Sequence, residues 1–198
     1  PFGYSKDEAI KWHNGQSEFR STPLDTEFSA VYWPWCKVYD STSKKFTWVM
    51  PSVIMAAQWC KVDRDYEPWY APAGESSRGI LSTVIDIEQY PNNTDRQDMY
   101  VEYNRINPLI MLKNGNIVAF GEKTCKRKDS SLTKIHVKRM TDALRKSLKN
   151  STRGYIFAPT FSENVANIRS IITSIMEEYK TGGAIEAYEV ICDSSNNT

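Results

Sequence analysis

Histidine is scarce in this chain, and its cysteines stand far apart. Only His13 and His136 occur in 198 residues, and neither neighbours a nucleophile in sequence. A catalytic triad would have to be assembled by the fold alone, so a surface histidine and a strand histidine are the plainer readings. Cys36, Cys60, Cys125 and Cys192 form no C-x-x-C pair and no Cys/His cluster. They read as buried thiols in a reducing compartment rather than as a disulfide framework or a zinc site. No apolar run approaches the ~18 residues of a membrane span. A surplus of either charge is also missing, with 25 Lys+Arg against 24 Asp+Glu and a formal net charge of +1. Gly121-Glu-Lys-Thr124 has the look of a phosphate-loop end, but its spacing from Gly115 and the inserted Glu122 break G-x-x-x-x-G-K-[ST], leaving a strand-end turn. Asp63 and Asp65 flank Arg64 and read as a solvated salt-bridge pair rather than a cation site. Neither a cofactor nor a metal is implied, and nothing points to an enzyme.

The most informative stretch that is present runs from Asp65 to Gly79. Pro68 and Pro72 each remove a backbone donor and keep the preceding residue out of the helical region, so the segment must run extended. Trp69 and Tyr70 sit between them, where two large rings can pin the chain to a neighbouring surface. Gly74 and Gly79 relax the backbone before the β-rich run Ile80–Ile87. The segment reads as a rigid structural joint, and it points to mechanical or architectural work.

Around this joint the periodicities predict an α+β chain, with one mixed sheet flanked by helices and an N-terminal hairpin/helix subregion. We divide it into a subregion 1–64, the joint 65–79 and a main core 80–198. Ser5-Lys-Asp-Glu8 has capping-box spacing and starts a helix that ends near Gly15. Residues 16–28 read as loop. Ala30–Tyr39 reads as a strand with an edge or bulge at Pro34, and the turn Asp40–Lys45 returns it into Phe46–Met50. Pro51 opens a helix to about Lys61. A further helix begins near Thr94 with Met99, Tyr103 and Ile106 on one face, and Pro108 follows its end. Asn114-Gly115 predicts a type I′ hairpin between Ile110–Leu112 and Ile117–Phe120. A short strand at Ile135–Val137 leads into a helix with Met140, Leu144 and Leu148 four apart. Gly154–Ala158 reads as a strand. A capping box at Thr160–Glu163 starts a helix whose Val165, Ile168, Ile171, Ile172, Ile175, Met176 and Tyr179 form a core stripe. Gly182-Gly183 stops it, and Ala184–Cys192 reads as a final strand.

Charge is unevenly spread. From Glu122 to Arg153 eleven Lys/Arg face three acids, while both flanks are net acidic. That layout suits contact with copies of the same chain or with another acidic partner. Nucleic-acid binding by residues 123–153 is the alternative. It requires basic side chains interleaved with exposed aromatics, and 122–153 contains no Phe, Tyr or Trp.

The motifs, in order, resemble the tail sheath proteins of contractile-tailed bacteriophages over nearly the whole chain. The resemblance is carried by Tyr32-Trp-Pro-Trp35, Val49-Met-Pro-Ser52 with Lys61-Val-Asp63, Trp69–Gly74 with Arg78-Gly79, Ile106-Asn-Pro108, Ala119–Thr124, Ile135–Met140, and Gly183–Asp193 with Asn196-Asn-Thr198. Glu186 replaces the small residue usual after Gly-Ala in that last motif. The chain opens on Pro1 and ends in a polar run, and it reads as a fragment excised from a sheath subunit, its C-terminal, tube-proximal domain. The resemblance implies a non-catalytic subunit of the virion, assembled in the host bacterial cytoplasm. Such subunits stack as hexameric rings around a tail tube, meet a baseplate and a tail terminator at the ends, and contract to drive the tube through the host envelope. It also implies a sheet edge left open for strands added by neighbouring subunits. Neither direct nucleic-acid contact nor membrane insertion is implied, and the isolated fragment is expected to be monomeric. Lys126, Arg127, Lys128, Lys138 and Arg139 are the expected contacts to acidic neighbours or to the tube.

Overall fold

Proline decides where the first β-structure breaks. In the computed structural model, which describes residues 5–101, 103–159 and 161–192, the predicted strand 30–39 is two strands. β1 (Val31–Trp33) and β2 (Cys36–Asp40) flank Pro34, which has no N–H to extend a ladder. The two strands enter different sheets. β1 pairs in parallel with β5 (Ile106–Met111), which pairs antiparallel with β6 (Ile117–Ala119). β2 lies between β3 (Lys45–Val49) and β4 (Val84–Ile87), both antiparallel. The single mixed sheet expected from sequence is therefore two three-stranded sheets. The mixed α and β character is as expected.

The chain divides into two compact units, residues 1–139 and 140–198. The first holds both sheets, α1 (Lys6–His13), α2 (Pro51–Asp65) and α3 (Asn93–Tyr100). Ser5 caps α1 by accepting from the Glu8 amide at 3.2 Å, as its spacing predicts. Pro51 occupies the first turn of α2, where its missing N–H costs nothing, and the helix runs four residues beyond the expected end. Alternation along β1 sends Tyr32 into a cluster with Cys36, Met55, Leu109 and Ile117. It sends Trp33 into a second cluster with Ala9, Met99 and Ile106.

Three local expectations in this unit give way. The helix near Thr94 stops at Tyr100 rather than reaching Ile106, because the Asn104 side chain donates to the Asp98 carbonyl and Arg105 takes φ +41. Ile106 and Pro108 are consequently strand residues. At Asn114-Gly115 the turn is not type I′, since of the two only Gly115 has positive φ, and Asn114 instead accepts from the Asn116 amide. Ile135–Val137 is no strand. α4 (Ile135–Thr152) begins there, with the Ile135 amide donating to Glu122 O at 3.0 Å. Tertiary contact overrides the β-branched preference.

In the second unit, α4 continues from Met140 and α5 spans Ser162–Thr181. The N-cap of α5 is Phe161, with no side-chain bond, and Thr160 of the expected capping box lies outside the described residues. The expected strands at Gly154–Ala158 and Ala184–Cys192 are not formed. Residues 153–155 make a short 3-10 turn, and 184–192 runs without a ladder. A strand needs a neighbour to bond, and none is present among the described residues of this unit. Instead, Tyr188 Oη donates to Glu177 Oε2 at 2.7 Å, and Cys192 Sγ lies 3.9 Å from Val165 O. The Ile stripe expected to be core is only half-buried; no described residue of this unit is fully buried.

Candidate assembly surface

The joint folds back on β6. The Gly74 amide donates to Ala119 O at 2.8 Å, and the Ala119 amide donates to Gly79 O at 3.0 Å, so the joint's two glycines bracket one residue. A Cβ built on Gly79 would lie 2.0 Å from the Gly74 carbonyl oxygen, which leaves room for hydrogen alone. Gln58 of α2 donates to Arg78 O at 2.5 Å. The Arg78 guanidinium stacks over Tyr70 at 4.8 Å and Tyr66 at 5.7 Å. Pro72 is buried, Pro68 and Trp69 are half-buried, and Tyr70 is more exposed.

The basic run is mostly engaged within its own unit. Lys126 Nζ pairs with Glu27 at 2.6 Å, and Lys138, 4% exposed, lies 3.9 Å from the same carboxylate and 4.1 Å from the Phe28 ring centroid. The Arg127 amide donates to Asp25 at 2.8 Å, while its guanidinium donates to Leu24 O and Asn14. Arg139 pairs with Asp63 and stacks over Trp59. Asp63 is thus an internal partner, and Asp65 pairs with Arg64. Among the five residues named from sequence, Lys128 is the one that lies exposed. His136, on the first turn of α4 rather than a strand, holds Glu122 at 2.6 Å. His13 is buried rather than superficial.

Asn107, quoted from sequence only within the Ile106-Asn-Pro108 motif, has a structural role that the sequence reading did not assign. It is fully buried, and its amide makes three hydrogen bonds: Nδ2 donates to Val31 O (3.0 Å) and Lys123 O (2.8 Å), and Oδ1 accepts the Lys123 amide (2.7 Å). It ties β1, β5 and the turn after β6 together. Gly121 packs against it so closely that a Cβ there would sit 2.8 Å from Oδ1. The available signal was one amide within the apolar run Ile106–Met111. Arg105, also buried, donates to Arg127 O at 3.0 Å and Asp129 at 2.7 Å, fixing residues 127–129 that follow. Burial pushes the Cys36 thiol up to about 12 and raises that of Cys125, so both are inert at neutral pH.

No protein-family model matches the chain. The tail sheath protein of Enterobacteria phage T4 is 23% identical over 200 residues, which span all of this chain and 30% of that protein. The chain is similar to phage tail sheath proteins. That of Vibrio phage KVP40 is likewise 23% identical, across 93% of this chain and 27% of its own length. The fold agrees with a contracted sheath complex of an extracellular contractile injection system, with TM-score 0.73 and 20% identity over 85% of this chain and 45% of that one. The chain therefore spans about 30% of the curated sheath relatives it matches. The Ile106-Asn-Pro108 and Ala119–Thr124 motifs meet at Asn107.

Proposed function

We propose that this chain is the tube-proximal part of a contractile tail sheath subunit. The subunit polymerises with its copies around a tail tube, between baseplate and terminator, and contracts to drive the tube through the host envelope. The observation that carries this reading lies in the second unit. α5 presents seven large apolar residues at helical spacing, yet all are only half-buried, and 184–190 runs beside it outside any ladder among the described residues. A helix of this kind draws its stability from a packed apolar face, and the isolated chain supplies only half of that packing. Strands from neighbouring copies would pair with 184–192 and cover the stripe. The outer edge of β3 is a second ladder edge open to addition.

Heterologous contacts repeated from copy to copy build open helices, and a small difference in contact energy between two lattices, multiplied over many subunits, supplies contraction. The nucleic-acid alternative finds no support: Lys126, Arg127, Lys138 and Arg139 are engaged with internal carboxylates and carbonyls, and 122–153 holds no aromatic side chain to stack a base. The joint and the 122–139 segment serve as rigid internal bracing, with Lys128 left for a neighbour or the tube. Electron microscopy of the full-length protein tests this reading. Striated tubes are expected. Their loss in Ile171→Asp/Ile175→Asp, with unchanged circular dichroism of the free subunit, would support the role of the stripe, and normal tubes from that variant would refute it.

A further inference from the structure

We propose that His13 is an acid-operated latch for residues 5–28, its protonation releasing α1 and the following loop from the 124–129 turn. The ring is fully buried, and neither Nδ1 nor Nε2 makes a well-formed hydrogen bond; the Asn14 side chain beside it is the one polar group that favours the charged ring. A neutral imidazole tolerates that position; an imidazolium has two N–H donors with only the Asn14 side chain, itself shared with Arg127 and Asn104, near enough to receive one.

The charged groups facing the ring are Arg20 of the loop and Arg127 of the turn, both cationic. The nearby carboxylates are engaged elsewhere: Asp25 by the Arg127 amide, Glu27 by Lys126, Asp129 by Arg105, and Asp95 and Asp98 by Lys6. His13 also sits where the segment is fastened. Its carbonyl accepts the Leu24 amide at 2.9 Å, and Asn14 beside it takes a bond from Arg127 and gives one to Asn104 at 2.8 Å. Burial first, then the two guanidinium groups, lower the His13 pKa to about 4, with Asn14 opposing.

Once released, the ring regains its ordinary value of about 6.5. The open form therefore takes up the proton first as pH falls, and opening is favoured progressively between pH 6.5 and 4, by roughly hundredfold or more in total. Above pH 6.5 the latch is closed at full strength.

Nuclear magnetic resonance of the whole chain tests this, following the His13 ring carbons and amide exchange corrected for its intrinsic pH dependence. His13 is expected to titrate well below 6.5. The Asn14 and Leu24 amides should lose roughly hundredfold protection over the same interval, while Ala119 and Phe120 keep theirs. His13→Gln, which cannot titrate, should flatten the transition. The same loss in His13→Gln would assign it to the carboxylates and overturn the latch, as would a His13 titrating near 6.5 with Leu24 still protected. If the variant does not fold, the parent decides: coincidence of the ring titration with loss of protection supports the latch, and separation of the two refutes it.

Discussion

Replacing Asn107 by leucine keeps the volume close and deletes three hydrogen bonds at once. The side chain is fully buried, and its partners are backbone groups of Val31 and Lys123. Each bond contributes about 1 kcal/mol net, and backbone groups left unpaired in a part-buried site add to the loss, for a total of about 3–4 kcal/mol. For a cooperative unit of this size that is a fall in melting temperature of roughly 10 °C. Urea melts followed by circular dichroism would read it as a lower midpoint at unchanged slope.

Asn107→Asp sharpens the test. Its carboxylate still accepts the Lys123 amide but faces the Val31 and Lys123 carbonyl oxygens, so the folded state favours the protonated acid and raises its pKa. Stability lost at pH 7 should then be partly recovered as pH falls through that raised value, measured against the parent at each pH. A loss below about 1 kcal/mol in Asn107→Leu, or an Asn107→Asp indifferent to pH, would refute the assignment of Asn107 as the tie between β1, β5 and the turn.

Further consequences can be checked in the same chain. Gly79→Ala should unfold the joint or cost more than ~3 kcal/mol, because the new Cβ would meet backbone at 2.0 Å; hydrogen exchange at Ala119 reports it. Arg105→Met should loosen residues 127–129 and cost about 2 kcal/mol, seen as faster proteolysis in that turn and a lower urea midpoint. Toward a thiol reagent at pH 8, exposed Cys60 should react fast in the native chain, with Cys36 and Cys125 reacting only on unfolding.

The elements most legible in the sequence were those whose signals are local. Ser5 before Glu8, Pro51 at a first turn and the Asp40–Lys45 reversal each specify their geometry within a few residues, and each appears where expected. What failed depended on distant partners. Pro34 marks a break, but nothing nearby says that its two strands join different sheets. Ile135–Val137 has β-branched residues, yet Glu122 O starts a helix there. The basic run reads as an outward face because Asp25, Glu27 and Asp63 lie about 70–110 residues away in sequence and meet it only through folding. Ala184–Cys192 has strand composition but joins no ladder among the described residues. That last failure is the one the proposed assembly explains.

Hydrogen exchange over residues 161–192 of the full-length protein, compared before and after it polymerises, tests the central claim most directly. The stripe of α5 and the amides of 184–192 should gain at least about tenfold protection in the assembled state, as strands from neighbouring copies satisfy and cover them. Assembled tubes in which this segment exchanges as fast as in the free subunit would contradict the account.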